Sequence, residues 1–292
     1  MNAGCNVTTE AAPPTEPVKK VEDLEAVEIE LLLEGIYRKY GCDFRNYSFP
    51  SIRRRVLNRM RAEGLSTVSG LQDRVLHDPE AMDRLLLHFS VSVTSMYRDP
   101  TFYAAFREQV VPLLRVHPFI RVWHAGCATG EEVYSMAILL FEAGLYDRCR
   151  IYATDMNEVV LKKAKDGIFP LELMTEYASN YAKAGGTATF ADYFTSKYDH
   201  AICRQALKKN LIFSHHNLVT DGSFNEFNVI LCRNVMIYFN RALQARVHGL
   251  FHESLHRFGV LALGRKESLK GTVHERDYEP VDGRERIFRR RG

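Results

Sequence analysis

A glycine-rich turn between an apolar strand and an amphipathic helix is the feature that most constrains the fold of this chain. Residues 120–123 form a short apolar run, IRVW, that predicts a buried strand. The small-residue turn AGCATG follows at 125–130, and beyond it apolar residues recur at helical spacing, namely Val133, Met136, Ala137 and Leu140. A strand, a glycine turn and a helix in this order open the nucleotide-binding unit of α/β folds, where glycines let a ligand approach the backbone. Such turns also serve packing alone, so other residues have to decide between the two roles.

Two acids after the turn limit which ligands could bind there. Glu131 and Glu132 stand at the predicted start of the helix, the turn is not a complete G-x-G-x-x-G, and a phosphate-loop G-K-[ST] is missing from the sequence. Acids at this point would repel a diphosphate, whereas a cofactor with a cationic amino-acid end and hydroxyl groups would be accepted. Gly126 would allow such a ligand to approach the backbone closely.

The sequence divides into three parts. Residues 1–20 are rich in Ala, Pro, Thr and Glu without a hydrophobic period and predict a disordered tail. Residues 21–90 have helical periodicity throughout and predict a small all-α domain. Residues 91–292 alternate strands with helices, which is typical of a doubly wound, mostly parallel sheet, and about 188–210 we expect a small antiparallel β-subdomain. The run at 285–289 is expected to be an edge strand.

Composition excludes several broad classes. The net charge is only +3, which gives no global argument for nucleic-acid binding. The six cysteines form no C-x-x-C pair, which favours reduced thiols over disulfides or a zinc cluster. The sequence also lacks a bilayer-length apolar run and the features of a secretory signal. We therefore expect a cytoplasmic protein without membrane insertion.

Two further positions favour a cofactor that contains adenosine. Asp155 ends the second predicted strand, about 25 residues after the turn, where doubly wound folds place an acid on ribose hydroxyls. Alternatively, Asp155 caps the helix that begins near Asn157. Arg233 and Asn234 follow another predicted strand and are therefore expected at the ligand-binding edge of the sheet. With Glu132, these residues favour S-adenosylmethionine over NAD, and the lack of an N-P-P-Y run argues against a nucleobase amine as methyl acceptor.

Five motifs then occur in a fixed order: VTSMYRDP, HAGCATGEEVYS, YATDMNEVVLKKAKDGIF, HHNL and CRNVMIYF. Together they resemble the CheR-type chemotaxis receptor methyltransferases, from about residue 24 to the C-terminus. The resemblance implies an α/β fold, with a Rossmann-like class I methyltransferase sheet and a small β-subdomain after a small all-α N-terminal domain. It also implies transfer of a methyl group from S-adenosylmethionine, with S-adenosylhomocysteine as product, to glutamate side chains in the cytoplasmic helical region of chemoreceptors or related signalling proteins. We expect a monomer that does not bind nucleic acid.

The resemblance also implies roles for individual residues. The cofactor-binding positions would be Ser92, Thr94, Arg98, Gly126, Glu132, Asp155, Asn217, Leu218, Arg233 and Asn234. Ser92 departs from relatives, many of which have Asn there, and residues 193–200 are shorter than in relatives that grip a receptor tail peptide. Arg98 and Tyr238 would face the transferred methyl group as catalytic residues. Arg98 could grip the substrate carboxylate as a planar donor fork or hold only the cofactor, and Tyr238 could also be a buried core tyrosine.

An arginine-rich helix precedes the sheet. Between Arg45 and Arg61 the sequence has six arginines and no acid. Five of them, Arg53, Arg54, Arg55, Arg59 and Arg61, lie opposite or beside the apolar face on a helical wheel. They predict a docking surface for the acidic helix that carries the target glutamates. A merely solvated face remains an alternative, as does RNA binding, although interleaved aromatic residues are missing.

One motif points away from methyl transfer. Residues 252–256 read H-E-x-x-H, the zinc-protease signature, and a predicted helix puts His252 and His256 on one face. The apolar residues of that helix leave both histidines toward solvent, and no third ligand is evident, so we predict no metal site. Two other functions stay open from the sequence. They are a non-catalytic sensor that binds the cofactor, and a methyltransferase that acts on a small molecule or RNA.

Overall fold

The computed structural model of the chain describes Met1 and residues 23–89 and 94–292. Apart from Met1, the tail predicted over residues 1–20 lies outside the described residues, and so does Ser92.

The N-terminal part is a helical unit. Within residues 23–89 it contains α1 (Leu24–Tyr40), α2 (Phe49–Ala62), α3 (Val68–His77) and α4 (Pro79–Phe89). Gly41 ends α1 in the left-handed conformation, with φ of 71°, and the Thr67 side chain caps α3 by accepting from the Gly70 N–H. One face of each helix is buried in a shared core that includes Ile29, Leu32, Ile36, Val56, Leu71, Val75 and Leu85. The helices therefore fold around a core of their own.

A helical connection leads from this unit to the sheet. It consists of α5 (Pro100–Ala105), a π-helical turn (Phe106–Val110) and α6 (Val111–Leu114). Pro112 has no N–H to donate to the carbonyl four residues earlier, and the helix widens ahead of it. The helical connection is therefore interrupted by a π-helical turn.

Ten strands follow in the α/β part, within residues 94–292. They are β1 (Ile120–Ala125), β2 (Cys149–Asp155), β3 (Ile168–Pro170), β4 (Phe194–Lys197), β5 (His200–Cys203), β6 (Leu211–His215), β7 (Phe227–Cys232), β8 (Leu255–Leu263), β9 (Tyr278–Asp282) and β10 (Ile287–Arg290). Seven strands form the main sheet in the order β6-β2-β1-β7-β8-β10-β9. The pairs from β6 to β8 are parallel, and β10 pairs antiparallel with β8 and β9. The last predicted strand is therefore present but is not the edge, because β9 covers it.

Helices cover both faces of the main sheet. They are α7 (Glu131–Glu142), α8 (Glu158–Asp166), α9 (Met174–Lys183), α10 (Gln205–Lys208) and α11 (Arg241–Ser254). One core contains the buried residues of α7 with those of α5 and α6, and a second core contains Trp123 with the buried face of α11. Burial on both faces explains why β1 and β7 are almost continuously apolar.

The β-subdomain is a three-stranded antiparallel sheet in the order β3-β5-β4. The hairpin of β4 and β5 lies in the segment where antiparallel pairing was expected, while β3 and α9 come from residues without a clear sequence signal. In the part of the chain that the structure describes, no helix combines the length and the apolar character needed to cross a bilayer.

Candidate active site

A cleft opens at the carboxyl ends of β1, β2 and β7, below the N-terminal helices. Its lining residues surround about 1030 Å³ of space free of protein atoms, part of which is open to solvent. Ten residues predicted for the site line it: Thr94, Arg98, Gly126, Glu132, Asp155, Asn217, Leu218, Arg233, Asn234 and Tyr238. The structure thus brings together every predicted cofactor and catalytic residue except Ser92, which lies outside the described residues.

The glycine turn forms the floor of the cleft. Gly126 has φ of 80°, and a Cβ built there would lie 2.6 Å from Cγ2 of Val235. The N–H groups of Gly126 and Cys127 donate to the Thr154 carbonyl at 2.8 and 2.9 Å, which ties the turn to β2. Glycine is needed at 126 both for the left-handed conformation and for the close approach of the neighbouring loop.

Asp155 braces the same turn. Its Oδ2 accepts from the Ala128 N–H and its Oδ1 from the Asn157 N–H, both at 3.0 Å. Burial raises the pKa of Asp155, and these N–H groups oppose that rise. The cap of α8 is Asn157, whose side chain accepts from the Val159 N–H, so the capping alternative for Asp155 is wrong. Because each carboxylate oxygen can accept more than one hydrogen bond, Asp155 can still accept from hydroxyl groups in the cleft.

Glu132 carries a negative charge on the adjoining wall. Its Oε1 lies 3.0 Å from Nδ1 of His124, and its Oε2 accepts from Arg233 Nη1 at 3.0 Å. Burial alone would raise the pKa of Glu132, but the His124 hydrogen bond and the Arg233 charge outweigh it and leave that pKa below the ordinary value. Glu131 does not line the cleft, because it is 7% exposed and accepts from the Thr129 hydroxyl at 2.7 Å. Only the second acid of the pair therefore faces a ligand.

Arg233 is an almost fully buried part of this wall. Its side chain is 2% exposed, and its Nη2 donates to Asp99 Oδ2 at 2.8 Å and to the Arg98 carbonyl at 3.3 Å. The guanidinium also packs 4.0 Å from the ring centre of Phe102. Arg233 thus joins the wall that carries Glu132 to the segment around Arg98.

The segment of Arg98 has an unusual backbone. Tyr97 and Asp99, on either side of it, are both left-handed, with φ of 53° and 57°. Non-glycine residues rarely adopt this conformation, and they do so where the surrounding contacts enforce it. The buried Tyr97, whose N–H donates to the Ser135 hydroxyl at 2.9 Å, supplies one such contact.

The opposite end of the cleft is more apolar. Leu218 is 7% exposed, and Asn217 stabilises its own turn, since its Oδ1 accepts from the Val219 N–H at 3.0 Å. Several other residues that line the cleft have no sequence signal that points to a site: Tyr47, Phe89, Ala128, Met156, His216, Val235 and Phe239. His124 was missed as well, although a histidine within an apolar strand was an available signal.

The N-terminal helices close the cleft from above. The Tyr47 hydroxyl donates to Met156 Sδ at 3.5 Å, and the Tyr47 ring meets the Phe239 ring edge-on at 5.0 Å. The Ser48 N–H donates to the Tyr238 carbonyl at 2.7 Å, and the neighbouring Asn46 carbonyl accepts a backbone hydrogen bond in the same way. Residues from both domains therefore form the cleft.

The arginines of α2 do not form one docking face. Arg55 is 4% exposed, donates to the Phe89 carbonyl and stacks on the Tyr238 ring at 4.4 Å. Its assignment to an exposed surface is wrong, because the loop that carries Tyr238 covers this side of α2. Arg53 pairs with Glu25 and Arg59 with Glu63, while Arg54 and Arg61 are exposed.

The zinc-protease signature is not formed either. Helix α11 ends at Ser254, so His256 lies in β8 and the expectation of two histidines on one helix face is wrong. His252 instead stacks on His274 at 4.2 Å, and its Nδ1 is 3.9 Å from Asp277 Oδ2. Arg290 Nη2 lies 3.2 Å from His252 Nε2, so an arginine is the cation beside this group.

Comparison with known proteins agrees with this architecture. A family model described as CheR methyltransferase, SAM binding domain, matches residues 92–286, and one described as CheR methyltransferase, all-alpha domain, matches residues 27–90. The sheet, the cleft and these matches define an S-adenosylmethionine-dependent methyltransferase. The chain belongs to the CheR methyltransferase family.

Several relatives cover most of the chain. A Pseudomonas putida protein with the provisional name methyltransferase Cher3 is 52% identical over 264 residues, covering 90% of this chain and 97% of the relative. The chemotaxis protein methyltransferase of Listeria monocytogenes is 28% identical and covers 80% of this chain and 87% of its own length. That of Salmonella typhimurium is 29% identical, with 82% and 83% covered. The predicted family, fold class and cofactor are thereby confirmed.

The residues present fit S-adenosylmethionine. The charged Glu132 suits a cationic amino group, and Asp155 retains accepting capacity for ribose hydroxyls. Gly126 lines the cleft without a side chain, so a ligand can contact the backbone of the turn there.

Proposed function

We propose that this protein transfers the methyl group of S-adenosylmethionine to glutamate side chains of chemoreceptors or related chemosensory proteins, forming methyl esters. The observation that carries the proposal is the pairing of Arg55 with Tyr238 beside the cofactor cleft. The Arg55 guanidinium is buried against the Tyr238 ring, and its Nη2 has no hydrogen-bond partner among the described residues. A buried guanidinium with an unused donor suits a carboxylate.

Methyl transfer to a carboxylate requires little general acid or base catalysis. A glutamate side chain, with an ordinary pKa well below neutral, is already ionised at neutral pH, so no general base is needed. The bound cofactor would supply a methyl group on a positively charged sulfur, which a carboxylate oxygen attacks as the carbon–sulfur bond breaks. The protein's part is to remove water from the carboxylate and to hold it in line with the methyl group.

We assign roles to the cleft residues on this basis. Glu132 would take the amino group of the cofactor, Asp155 the ribose hydroxyls, and Asn217 with Leu218 the adenine. Thr94, together with Ser92, would cover the bound cofactor from the segment between the two domains. Gly126, Arg233 and Asn234 would shape the walls.

Arg98 and Tyr238 would act at the reacting end of the cleft. Both residues line it, and the left-handed residues on each side of Arg98 support a fixed position for its side chain. Tyr238 lines the cleft and its ring stacks on Arg55, so a substrate carboxylate bound near Arg55 would also be near Tyr238. Arg98 would orient either this carboxylate or the cofactor.

The exposed part of α2 supports docking of an acidic partner. Arg54 and Arg61 are exposed, and the paired Arg53 has a half-exposed side chain. Together with the less exposed Arg59, they would give a positive approach to the cleft, and acidic receptor helices would be steered along it. Because such helices belong to the cytoplasmic part of chemoreceptors, we also propose a cytoplasmic location.

Methylation of receptor fragments tests the proposal. Purified protein is incubated with radiolabelled S-adenosylmethionine and receptor cytoplasmic fragments, and the products are analysed by mass spectrometry. We expect an alkali-labile label on glutamate side chains. If the protein binds the cofactor but leaves every chemoreceptor fragment unlabelled, the substrate assignment fails. RNase-sensitive label would indicate an RNA substrate, and an Arg98→Ala variant that keeps cofactor binding and biological activity would indicate a sensor.

A further inference from the structure

The loop after β8 contains a buried carboxylate that has no role in the function proposed above. Glu267 is 5% exposed, and both of its oxygens accept backbone N–H groups. Its Oε2 accepts from Gly264 at 2.6 Å and from Asn234 at 3.0 Å, and its Oε1 accepts from Val235 at 2.9 Å. One side chain thus joins its own loop to the loop that follows β7.

The sheet places these two loops side by side. Strands β7 and β8 are parallel neighbours, and Cys232 pairs with Leu263, so the next residues leave the sheet at the same level. Asn234 then adopts φ of 63°, and successive N–H groups around a left-handed residue point toward a common acceptor. The loops are so close that a Cβ at Gly264 would lie 2.8 Å from the Asn234 backbone nitrogen and 2.7 Å from Glu267 Oε2. The carboxylate therefore fills a cavity shaped by the backbone.

The loop held by Glu267 is a wall of the cofactor cleft. Asn234 and Val235 line the cleft, and Val235 packs directly on Gly126. Arg233, one residue earlier, bonds Glu132. A change in this loop would therefore reach both the glycine turn and the acid that faces the cofactor. Glu267 itself does not line the cleft.

We propose that Glu267 is a positioning residue for cofactor binding: its carboxylate holds Asn234 and Val235 in the conformation that forms one wall of the S-adenosylmethionine cleft. An ionised carboxylate accepts at both oxygens, so it satisfies all three N–H groups, whereas a glutamine offers only one oxygen. The role concerns the cofactor alone and is independent of which protein accepts the methyl group.

Titration calorimetry with S-adenosylhomocysteine tests this role on the full chain. The variants are Glu267→Ala and Glu267→Gln. The control is Glu142→Gln, which changes another buried acid at the far end of α7, about 15 Å along the helix from Glu132. We expect the Kd to rise about 10-fold in Glu267→Ala and about threefold in Glu267→Gln, and to stay within about twofold in the control. Hydrogen exchange should show loss of protection at the Val235 amide in both Glu267 variants.

The Kd and the number of binding sites separate positioning from a loss of fold. Partial misfolding lowers the number of binding sites and leaves the Kd of the folded fraction unchanged, whereas a displaced wall raises the Kd at one site per chain. A wild-type Kd in Glu267→Ala would overturn the proposal. If Glu267→Ala gives no folded protein, Glu267→Gln decides: a raised Kd supports the role and a wild-type Kd overturns it.

Discussion

The wall around the glycine turn and the arginine-rich helix α2 differ in what determines the environment of their polar side chains. At the turn, Asp155 binds backbone N–H groups, and Glu132 lies between His124 and Arg233. On α2, neighbouring arginines have unrelated surroundings: Arg54 is exposed, while Arg55 is buried under the Tyr238 loop. The polar side chains at the turn are held by residues at the ends of the sheet's strands, whereas Arg55 on α2 is covered by a loop from the other domain.

This difference explains why the sequence predicts the surroundings of the turn better than those of α2. In a strand–turn–helix unit the backbone geometry determines where each side chain points. A motif in the sequence therefore predicts which side chains lie close together. A helical wheel predicts which residues share a face, but it does not predict what covers that face. The four predictions below test this contrast, from the largest expected effect to the smallest.

The pair of acids after the turn gives the sharpest test. Glu132→Gln removes the charge that faces the cleft and leaves Arg233 buried with one carboxylate partner fewer, so we expect the Kd for S-adenosylhomocysteine to rise about 100-fold. The matched control is Glu131→Gln, in which the neighbouring acid points away from the cleft, and its Kd should change by less than about twofold. Calorimetry measures both values. Equal effects of the two substitutions would contradict the assignment of the wall.

A second prediction separates the contact at Gly126 from its backbone conformation. Gly126→Ala adds a Cβ 2.6 Å from Val235 at φ of 80°, so we expect a loss of about 2–4 kcal/mol in the free energy of unfolding and about 10-fold weaker cofactor binding. Gly144→Ala serves as the control, because Gly144 has φ of 69° with nothing within 4 Å of its Cβ position. It should lose about 1–2 kcal/mol and bind normally. Urea unfolding measures the free energy of unfolding, and calorimetry measures cofactor affinity. Equal losses of affinity in the two variants would contradict a role of the Val235 contact in cofactor binding.

On α2, the third prediction compares a buried arginine with its exposed neighbour. Arg55→Lys keeps the charge but loses the planar fork above Tyr238, so we expect kcat/KM for a receptor fragment to fall about 10-fold. Arg54→Lys retains the charge of an exposed position and should change the same ratio by less than about twofold. Steady-state methylation assays measure the ratio, with cofactor affinity unchanged in both variants. A larger effect at Arg54 would restore the single docking face that the helical wheel predicts.

Sequence reasoning reached the cofactor side of the site because its residues lie in motifs attached to strand ends. Gly126, Glu132 and Asp155 are close to one another through two neighbouring parallel strands. Other contacts depend on residues distant in the sequence. Arg55 is covered by a loop at Tyr238, and Tyr47 reaches Met156 from the other domain. Glu267 is in a loop without a periodic pattern, so only the folded structure reveals its partners.

Helix boundaries were a second source of error. The H-E-x-x-H pattern predicts two histidines on one face only if the helix continues through His256. Leu255 is already extended, with ψ of 128°, and the chain continues into β8. Pairing of Leu255 with Phe227 on β7 outweighs the local helical periodicity. Tertiary pairing of this kind has no local signature in the sequence.

The smallest expected effect is on stability, and it concerns Glu63, the acid that pairs with Arg59 of α2. Hydrogen bonds from Arg84 and Arg74 hold the pKa of Glu63 at about 2, below its ordinary value of 4.5. The unfolded chain binds this proton more readily, so the ion pairs contribute stability above pH 4.5, and this contribution is lost as the pH falls toward about 2. With partners more than a third exposed, we expect Glu63→Gln to lose about 1 kcal/mol at pH 7 and almost nothing at the acid end.

Urea unfolding of wild type and variant across this pH range measures the difference. Glu30→Gln, at an exposed position on α1, is the control and should change the free energy of unfolding little at either pH. A difference for Glu63→Gln that does not depend on pH would mean that packing, and not charge, holds this end of α2. The contrast between the two regions would then rest on the burial of Arg55 alone.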